Sequence, residues 1–336
     1  MKPRLLIVEL WGMGDLIIAT PFIRAAAERY AVTVAAKPFA RELQPHFWPG
    51  VEVKTFVAPW TAFKGKYRLW RWPWLQGWRL INELRRQQFD VALSARWDPR
   101  DHVFIALIGA RRRLGFSRLR SGVLLTTPVT RPDPRDHRYA YWRKLSDALD
   151  LQLPSRNNVA NPRRKVGHAV LVHTGAGQAI RVWPLERYWR LIQQLRSQDH
   201  EVVVACDPDQ RAWWREVEPA VCVPTTINEL LQLIEQAKAF VGNDSGPGHL
   251  AAFCGVPTFT IFGPQLHEWF APMNPHSEWV EGEACPYKPC SDYCKFDQPI
   301  CITRLSEELV MGRVKYFLEH QLEWQTSHRP HGRPVG

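Results

Sequence analysis

Short apolar or β-branched runs recur along this chain, and each is followed by a stretch whose apolar residues return at helical spacing. Residues 4–8 lead into 15–30, residues 31–35 follow, and 89–93 precede 102–109. Parallel strands need crossovers long enough to hold a helix, so this alternation predicts a parallel sheet with helices on both faces. After a polar, proline-containing stretch at 153–165 the pattern starts again. Strands are expected at 168–173, 201–205, 239–242 and 258–262, and helices at 184–198, 209–217, 226–236 and 248–254. Residues 305–322 read as a closing helix. The expectation is an α/β chain of two doubly wound, Rossmann-like halves, 1–160 and 161–325, followed by a flexible basic tail, 326–336. Ligands are expected at the carboxyl ends of the strands, in a cleft between the halves. A length of 336 residues agrees with two domains at about 150 residues each.

No run approaches the ~18 apolar residues that span a bilayer, and residues 1–9 lack the apolar core and cleavage site of a signal peptide. A cytoplasmic protein is expected. Seven cysteines, an odd number spread over a long chain, favour reduced thiols over a disulfide framework. Five of the 16 tryptophans, Trp60, Trp70, Trp72, Trp74 and Trp78, share one stretch with Lys64, Lys66, Arg68, Arg71 and Arg79. Indoles settle at the wet edge of apolar phases and cations neutralise phosphate, so this stretch suits anionic headgroups or a phosphorylated glycan. The same mixture suits stacking on single-stranded nucleic acid, or a plain loop of half-buried indoles with a solvated basic face.

Three segments are candidates for chemistry. In residues 5–21, LLIVELWGMGDLIIATP, a strand runs into a turn where Gly12 and Gly14 let a ligand approach the backbone, and Asp15 opens the next helix. Asp15 there serves either as a helix cap or as a general base toward a hydroxyl. In residues 173–189, HTGAGQAIRVWPLERYW, Thr174 and Gly175 follow a strand, and Arg181 adds a fixed cation before Trp183 and Pro184 open a helix. That combination suits a diphosphate, or else is an ordinary strand–helix turn, and neither the P-loop nor the GxGxxG spacing is present. In residues 240–264 the strand is followed by Asn243, Asp244, Ser245, Gly246, Pro247, Gly248 and His249 and then by an Ala-rich helix. Free N–H groups and the positive end of the helix dipole there suit an anion. Asp244 beside them suits sugar or ribose hydroxyls or a cap, and His249 taken alone is more often a packing residue. Asp207 and Asp209, past the 201–205 strand, stand where a doubly wound domain often meets ribose.

These motifs, IVELWGMGDLIIATP, HTGAG…RVWP and NDSGPGHLAAFCGVPTFTIFGP, resemble glycosyltransferase family 9, the heptosyltransferases of the lipopolysaccharide inner core. They cover nearly the whole chain in the family's order. The resemblance implies the GT-B fold, an ADP-heptose type of donor in the carboxyl-terminal half, and a phosphorylated, lipid-linked glycan acceptor in the amino-terminal half at the inner membrane surface. It implies inversion, with no cofactor or metal required. Asp15 matches the family's catalytic base, Arg181 the basic residue that meets the donor, and Asp244, Ser245, Gly246 and His249 the donor loop. Thr174 and Gly175 are placed with the donor, and Gly14, Lys64, Lys66, Arg68 and Arg71 with the acceptor or membrane. Glu9 stands where family members commonly carry a basic residue, and Arg181 replaces a frequent lysine, keeping charge but changing geometry.

Residues 285–301 hold Cys285, Cys290, Cys294 and Cys301, enough thiols for a tetrahedral zinc or iron site, although no pair has the usual two-residue gap. A loop of reduced or partly paired cysteines is the leading expectation, with a structural metal as the alternative. The net charge of +11 also fits a non-catalytic nucleic-acid binder, but no nucleic-acid motif accompanies it, and none is expected as a partner. A transferase or epimerase using a UDP- or GDP-sugar on a similar fold is the remaining alternative.

Overall fold

The computed structural model describes residues 1–62, 67–161, 167–290 and 293–327. Lys64, Lys66 and residues 328–336 of the expected tail lie outside the described residues. The chain divides into two compact units. The first takes Met1–Val159 with the short pieces Thr226–Asn228 and Glu268–Phe270, and the second takes the rest.

In the first unit, β1 (Arg4–Glu9), β2 (Ala31–Ala36), β3 (Glu52–Thr55), β4 (Val91–Leu93), β5 (Arg112–Gly115) and β6 (Thr127–Pro128) form one parallel sheet in the order β3-β2-β1-β4-β5-β6. The central strand β1 is RLLIVE, buried at every position after Arg4, as a strand covered on both faces must be. The helices are α1 (Met13–Arg29), α2 (Ala40–Phe47), α3 (Trp74–Arg86), α4 (Pro99–Ile108) and α5 (Tyr139–Asp147). Helix α4 is fully punctuated. Asp98 caps it by accepting from the Arg100 N–H at 2.9 Å, Pro99 fills the first turn, and Gly109 closes it at φ +78°. The tryptophan-rich stretch is only partly a loop: from Trp74 it becomes α3, which buries Leu80, Ile81 and Leu84.

In the second unit, β7 (Ala169–His173), β8 (Val202–Ala205), β9 (Ala237–Asn243), β10 (Thr258–Phe262) and β11 (Ser277–Glu281) form a second parallel sheet ordered β11-β10-β9-β7-β8. Its helices are α6 (Leu185–Ser197), α7 (Arg211–Val217), α8 (Ile227–Gln236), α9 (Gly246–Phe253), the short α11 (Ile300–Thr303) and α12 (Glu307–Ser327), while the short α10 (His267–Phe270), all but its first residue, belongs to the first unit. The core fills with Val170, Val172, Trp183, Tyr188, Trp214, Phe259 and Phe317. Strands β7 and β9 approach so closely that a Cβ at Gly242 would lie 2.7 Å from the His173 carbonyl oxygen, which explains that glycine.

The strand order reverses direction between β1 and β4 in the first sheet and between β7 and β9 in the second. Such switch points leave a crevice at the carboxyl ends of the strands, where doubly wound folds bind ligands. Among the described residues no helix is long and apolar enough to cross a membrane.

Candidate active site

At the first switch point, β1 ends on Glu9 and α1 begins after Gly12, whose extended backbone (φ −89°, ψ 167°) forms the cap position. Asp15 is the third residue of the helix. Its Oδ2 accepts the Gly12 N–H at 3.1 Å, and its Oδ1 pairs with Arg96, just beyond β4. The cap and the ion pair do not exhaust the side chain. A carboxylate offers about four lone-pair directions, so Asp15 keeps one for a hydroxyl proton. Arg96 is held in turn: its N–H donates to Ser94 Oγ at 3.1 Å and its guanidinium lies 5.0 Å from the Trp11 ring. Gly14 sits beside Asp15 in the first turn of α1.

Two further acids surround Arg96. Glu9 is buried, and the loss of water pushes its pKa up to about 8; Arg96 pulls it back while Asp15 and Asp101 push it further. At neutral pH Glu9 is therefore mostly an uncharged acid. Asp101, also buried, accepts from Trp60 Nε1 at 2.8 Å and from Trp11 Nε1 and Ser94 Oγ, each at 3.3 Å. Burial still pushes it up to about 6. Lys37, following β2, adds a cation near Asp15 and Glu9; burial lowers its pKa and the two carboxyls oppose that.

Arg138 lies just before α5, buried, with its guanidinium 4.5 Å from the Trp97 ring and 5.5 Å from that of Tyr141. Burial lowers its pKa to about 10, so it remains charged. Its Nε and Nη1 find no acceptor among the described residues. A guanidinium with unspent donors is a fork for a carboxylate or phosphate. Arg68 and Arg71, by contrast, are exposed on the approach to α3.

At the second switch point the segments after β7 and β9 meet. Thr174 is not a free ligand group: its buried hydroxyl donates to Gln210 Oε1 and accepts from Trp214 Nε1, both at 2.9 Å. Gly175 is required by its neighbour, since a Cβ there would lie 2.2 Å from Asp207 Cγ. Asp207 accepts the Ala176 N–H, and burial raises its pKa with help from Asp209. Burial lowers His173 to about 4, so its ring is neutral and its 3.8 Å approach to Asp207 is no ion pair at physiological pH.

Asn243, the last residue of β9, ties the region together. Its Nδ2 donates to the Thr174 carbonyl at 2.8 Å, and its Oδ1 accepts from the Trp183 N–H at 3.0 Å and the Tyr188 hydroxyl at 2.9 Å. Asp244 pairs with Arg181 at 3.2 Å, which resolves the electrostatic problem of a carboxylate beside an anion site. Ser245 holds the cap position of α9 in extended conformation (φ −152°, ψ 163°) without capping it. The buried Ser245 Oγ and Arg181 Nε have no partner among the described residues. Gly246 opens α9, and His249 is buried in the same turn. Two orphan polar atoms and a helix N-terminus converge here, an arrangement made for an anion.

Cys285, Cys290, Cys294 and Cys301 are all free thiols. Cys290 Sγ contacts the Tyr287 carbonyl at 3.5 Å and Cys294 Sγ that of Gln298 at 3.7 Å. Burial pushes Cys290 up and Cys301 up to about 11, which keeps both as thiols. Among the described residues no group of three or more His, Cys, Asp or Glu side chains is arranged to hold a metal.

The sequence profile of glycosyltransferase family 9 (heptosyltransferase) matches residues 77–299. The chain belongs to that family. This family 9 chain is 26% identical to lipopolysaccharide heptosyltransferase 1 of Pseudomonas aeruginosa, over 94% of its own length and 98% of the relative's. It is 30% identical to lipopolysaccharide heptosyltransferase 3 of Escherichia coli, over 32% of its length; that match spans about a third (34%) of the relative. The solved structure of E. coli heptosyltransferase WaaC with ADP superposes with a TM-score of 0.70 at 16% identity, over 95% of this chain and 99% of the other. The family 9 glycosyltransferase thus has the GT-B fold of two Rossmann-like units. Asp15 lies at the first switch point and Arg181 with the 244–249 loop at the second, where the sequence motifs stand, while Lys37, Arg96, Asp101 and Arg138 gather near Asp15 without a motif of their own. Arg96 follows the strand at 89–93 and carries a strand-end signal, Asp101 lies in the first turn of α4, and Arg138 carries no local signal.

Proposed function

We propose that this protein is an inverting heptosyltransferase, moving the sugar from an ADP-heptose to a phosphorylated, lipid-linked glycan of the lipopolysaccharide core at the inner face of the cytoplasmic membrane. The observation that carries the reading is Asp15, a carboxylate fixed by Gly12 and Arg96 at a switch point with a lone pair to spare. In the proposed reaction the acceptor hydroxyl loses its proton to Asp15 while its oxygen bonds to the anomeric carbon. The bond from that carbon to the diphosphate breaks on the opposite face, its electron pair leaves with ADP, and configuration inverts. Lys37, Arg96 and Arg138 would meet acceptor phosphates or carboxylates. Gly14, Arg68 and Arg71, with Lys64 and Lys66, belong to the same acceptor and membrane side. Arg181, Ser245 and the N–H groups opening α9 would take up charge on the departing diphosphate, a role that favours preorganised donors. Gly175, Asp244 and His249 shape that pocket, and Asp207 suits a ribose hydroxyl. The E. coli relative solved with ADP supports the choice of nucleotide. No cofactor or metal enters the scheme.

Base catalysis of this kind contributes about 10²–10⁴-fold. Asp15→Asn should lower turnover of ADP-heptose and acceptor by at least about 10²-fold, read by ADP release, while ADP binding stays within about twofold. Unchanged turnover would remove Asp15 from the role.

A further inference from the structure

The tryptophan-rich stretch builds something the transfer reaction does not require. Helices α3 and α4 pack against each other, and between them opens a hollow of about 440 Å³. That volume lies in the ordinary range for small-molecule sites, about 300–1,000 Å³. Phe56, Trp60 and Phe104 line its inner part, while Trp74, Trp78 and Leu107 remain exposed along it.

The wall chemistry selects the occupant. Every lining side chain except Arg100 is apolar or aromatic, and Arg100 is engaged by Asp98 at 2.6 Å. The polar tips of Trp60 and Trp74 are spent on Asp101 Oδ1 and the Leu69 carbonyl, each at 2.8 Å. A sugar or nucleotide would lose its water here and gain few hydrogen bonds in return. A hydrocarbon chain loses nothing.

The rim supplies the other half of an amphiphile site. Trp74 and Trp78 stand one helical turn apart and are 59% and 55% exposed; Val103 and Leu107, spaced likewise on α4, are each 45% exposed. Ordinary surface helices carry polar residues at such positions. Arg68, Arg71, Arg79, Arg85 and Arg86 are exposed on the same segment, against a single acid, Glu83, which pairs with Lys54. Exposed indoles over an apolar hollow, on a segment rich in exposed arginines, match the interfacial layer of an anionic bilayer.

We propose that α3 and α4 form a docking surface for an anionic phospholipid bilayer, with one acyl chain seated in the hollow and the arginines on the headgroups. The inference deepens the acceptor side of the transferase reading, because docking brings the protein to the surface where a lipid-linked acceptor resides. The test is vesicle flotation of the full chain with equimolar phosphatidylcholine and phosphatidylglycerol, with pure phosphatidylcholine, and with the mixed vesicles in high salt. The wild type should float with the mixed vesicles alone and be released by salt. The double variant Val103→Glu/Leu107→Glu should lose at least tenfold in vesicle partitioning. Because both positions are exposed, its melting temperature and its stabilisation by ADP should be unchanged. The variant keeps every tryptophan, so quenching of indole emission by chain-brominated lipid, expected in the wild type and lost in the variant, reports seating of the chain. Equal flotation of variant and wild type overturns the proposal, as does wild-type flotation with pure phosphatidylcholine. Variant-sensitive binding of a single-stranded oligonucleotide in place of vesicles would also overturn it, assigning the surface to nucleic acid. Failure to bind vesicles with the ADP response intact would sink the docking surface and leave the transferase reading standing.

Discussion

Glu9 holds a proton that most carboxyls would have released, and that proton makes the site's pH dependence predictable. The folded protein keeps it up to about pH 8, whereas the unfolded chain releases it near the ordinary 4.5. The unfolded state therefore binds fewer protons across that interval, and stability falls as pH rises through it. His173 works in the opposite sense: it is neutral when folded down to about pH 4, so unfolding takes up a proton below about 6.5 and stability rises with pH there. Asp101, at about 6, acts in the same sense as Glu9 and is largely ionised by then. Between pH 6.5 and 8 Glu9 outweighs what remains of these two, and the melting temperature should decline over that window. Glu9→Gln should flatten the decline and raise stability at pH 8. In the same variant the alkaline limb of turnover, expected near pH 8 as a new negative charge forms beside Asp15 and Arg96, should move upward. A flat wild-type melting profile between pH 6.5 and 8 would show that Glu9 is already ionised. None of this was legible beforehand. Glu9 stands in the sequence only as an acid at the end of the first strand, and its state depends on burial and on Arg96, 87 positions away in the numbering.

At the scale of the element, the second-unit site rests on how β7 and β9 end. Asn243 alone satisfies the Trp183 N–H and the Tyr188 hydroxyl, both inside the core. Asn243→Ala strands both donors, at about 1–3 kcal/mol for each buried group left unpaired. A loss near 3 kcal/mol is expected in urea unfolding, and Asn243→Asp should be no milder, because it turns a buried carboxyl oxygen on the Thr174 carbonyl that Nδ2 now donates to. Loss below 1 kcal/mol would mean that water or rearrangement replaces those bonds. Strands β7 to β10 were legible from apolar runs such as AVLVH and TFTIF, since a doubly covered strand has little polar surface to confuse the pattern, whereas the edge strand β11, SEWVE, was not. Strands β3 and β5, EVKT and RRLG, were not, because edge and near-edge positions tolerate charge. Helix α3 was hidden for a different reason: its tryptophans and arginines stand out as one aromatic and cationic stretch, which draws attention away from the buried face of Leu80, Ile81 and Leu84.

For the whole molecule, a ligand that binds only the folded state stabilises it by mass action, by about 2.7 kcal/mol at 100 times its dissociation constant. ADP should raise the melting temperature in proportion to the logarithm of its concentration, and UDP and GDP should raise it less. Asp15→Asn should keep the shift, because the proposed base lies in the other unit from the proposed nucleotide site. An equal response to all three nucleotides would remove the adenine assignment, and no response would remove the donor site at 181 and 244–249. The doubly wound plan of each unit was legible because strand and helix periods alternate from residue 4 onward. The grouping of Thr226–Asn228 and Glu268–Phe270 with the first unit was not, since the contacts that decide it have no period.

Both sheets are wholly parallel, and this has a consequence for how the chain is born. A parallel pair cannot nucleate as a hairpin, because every pairing must wait for a crossover to be made. β1 gains its second neighbour only once β4, ending at Leu93, has been synthesised, and the first sheet is complete at Pro128. Domains fold as units, the earliest first, during synthesis. The first sheet can therefore close while the ribosome is still producing the second, before Thr226–Asn228 and Glu268–Phe270 exist to join it. The growing chain then carries a finished sheet whose last supporting pieces arrive about a hundred or more residues later, the interval in which a chaperone has most to protect.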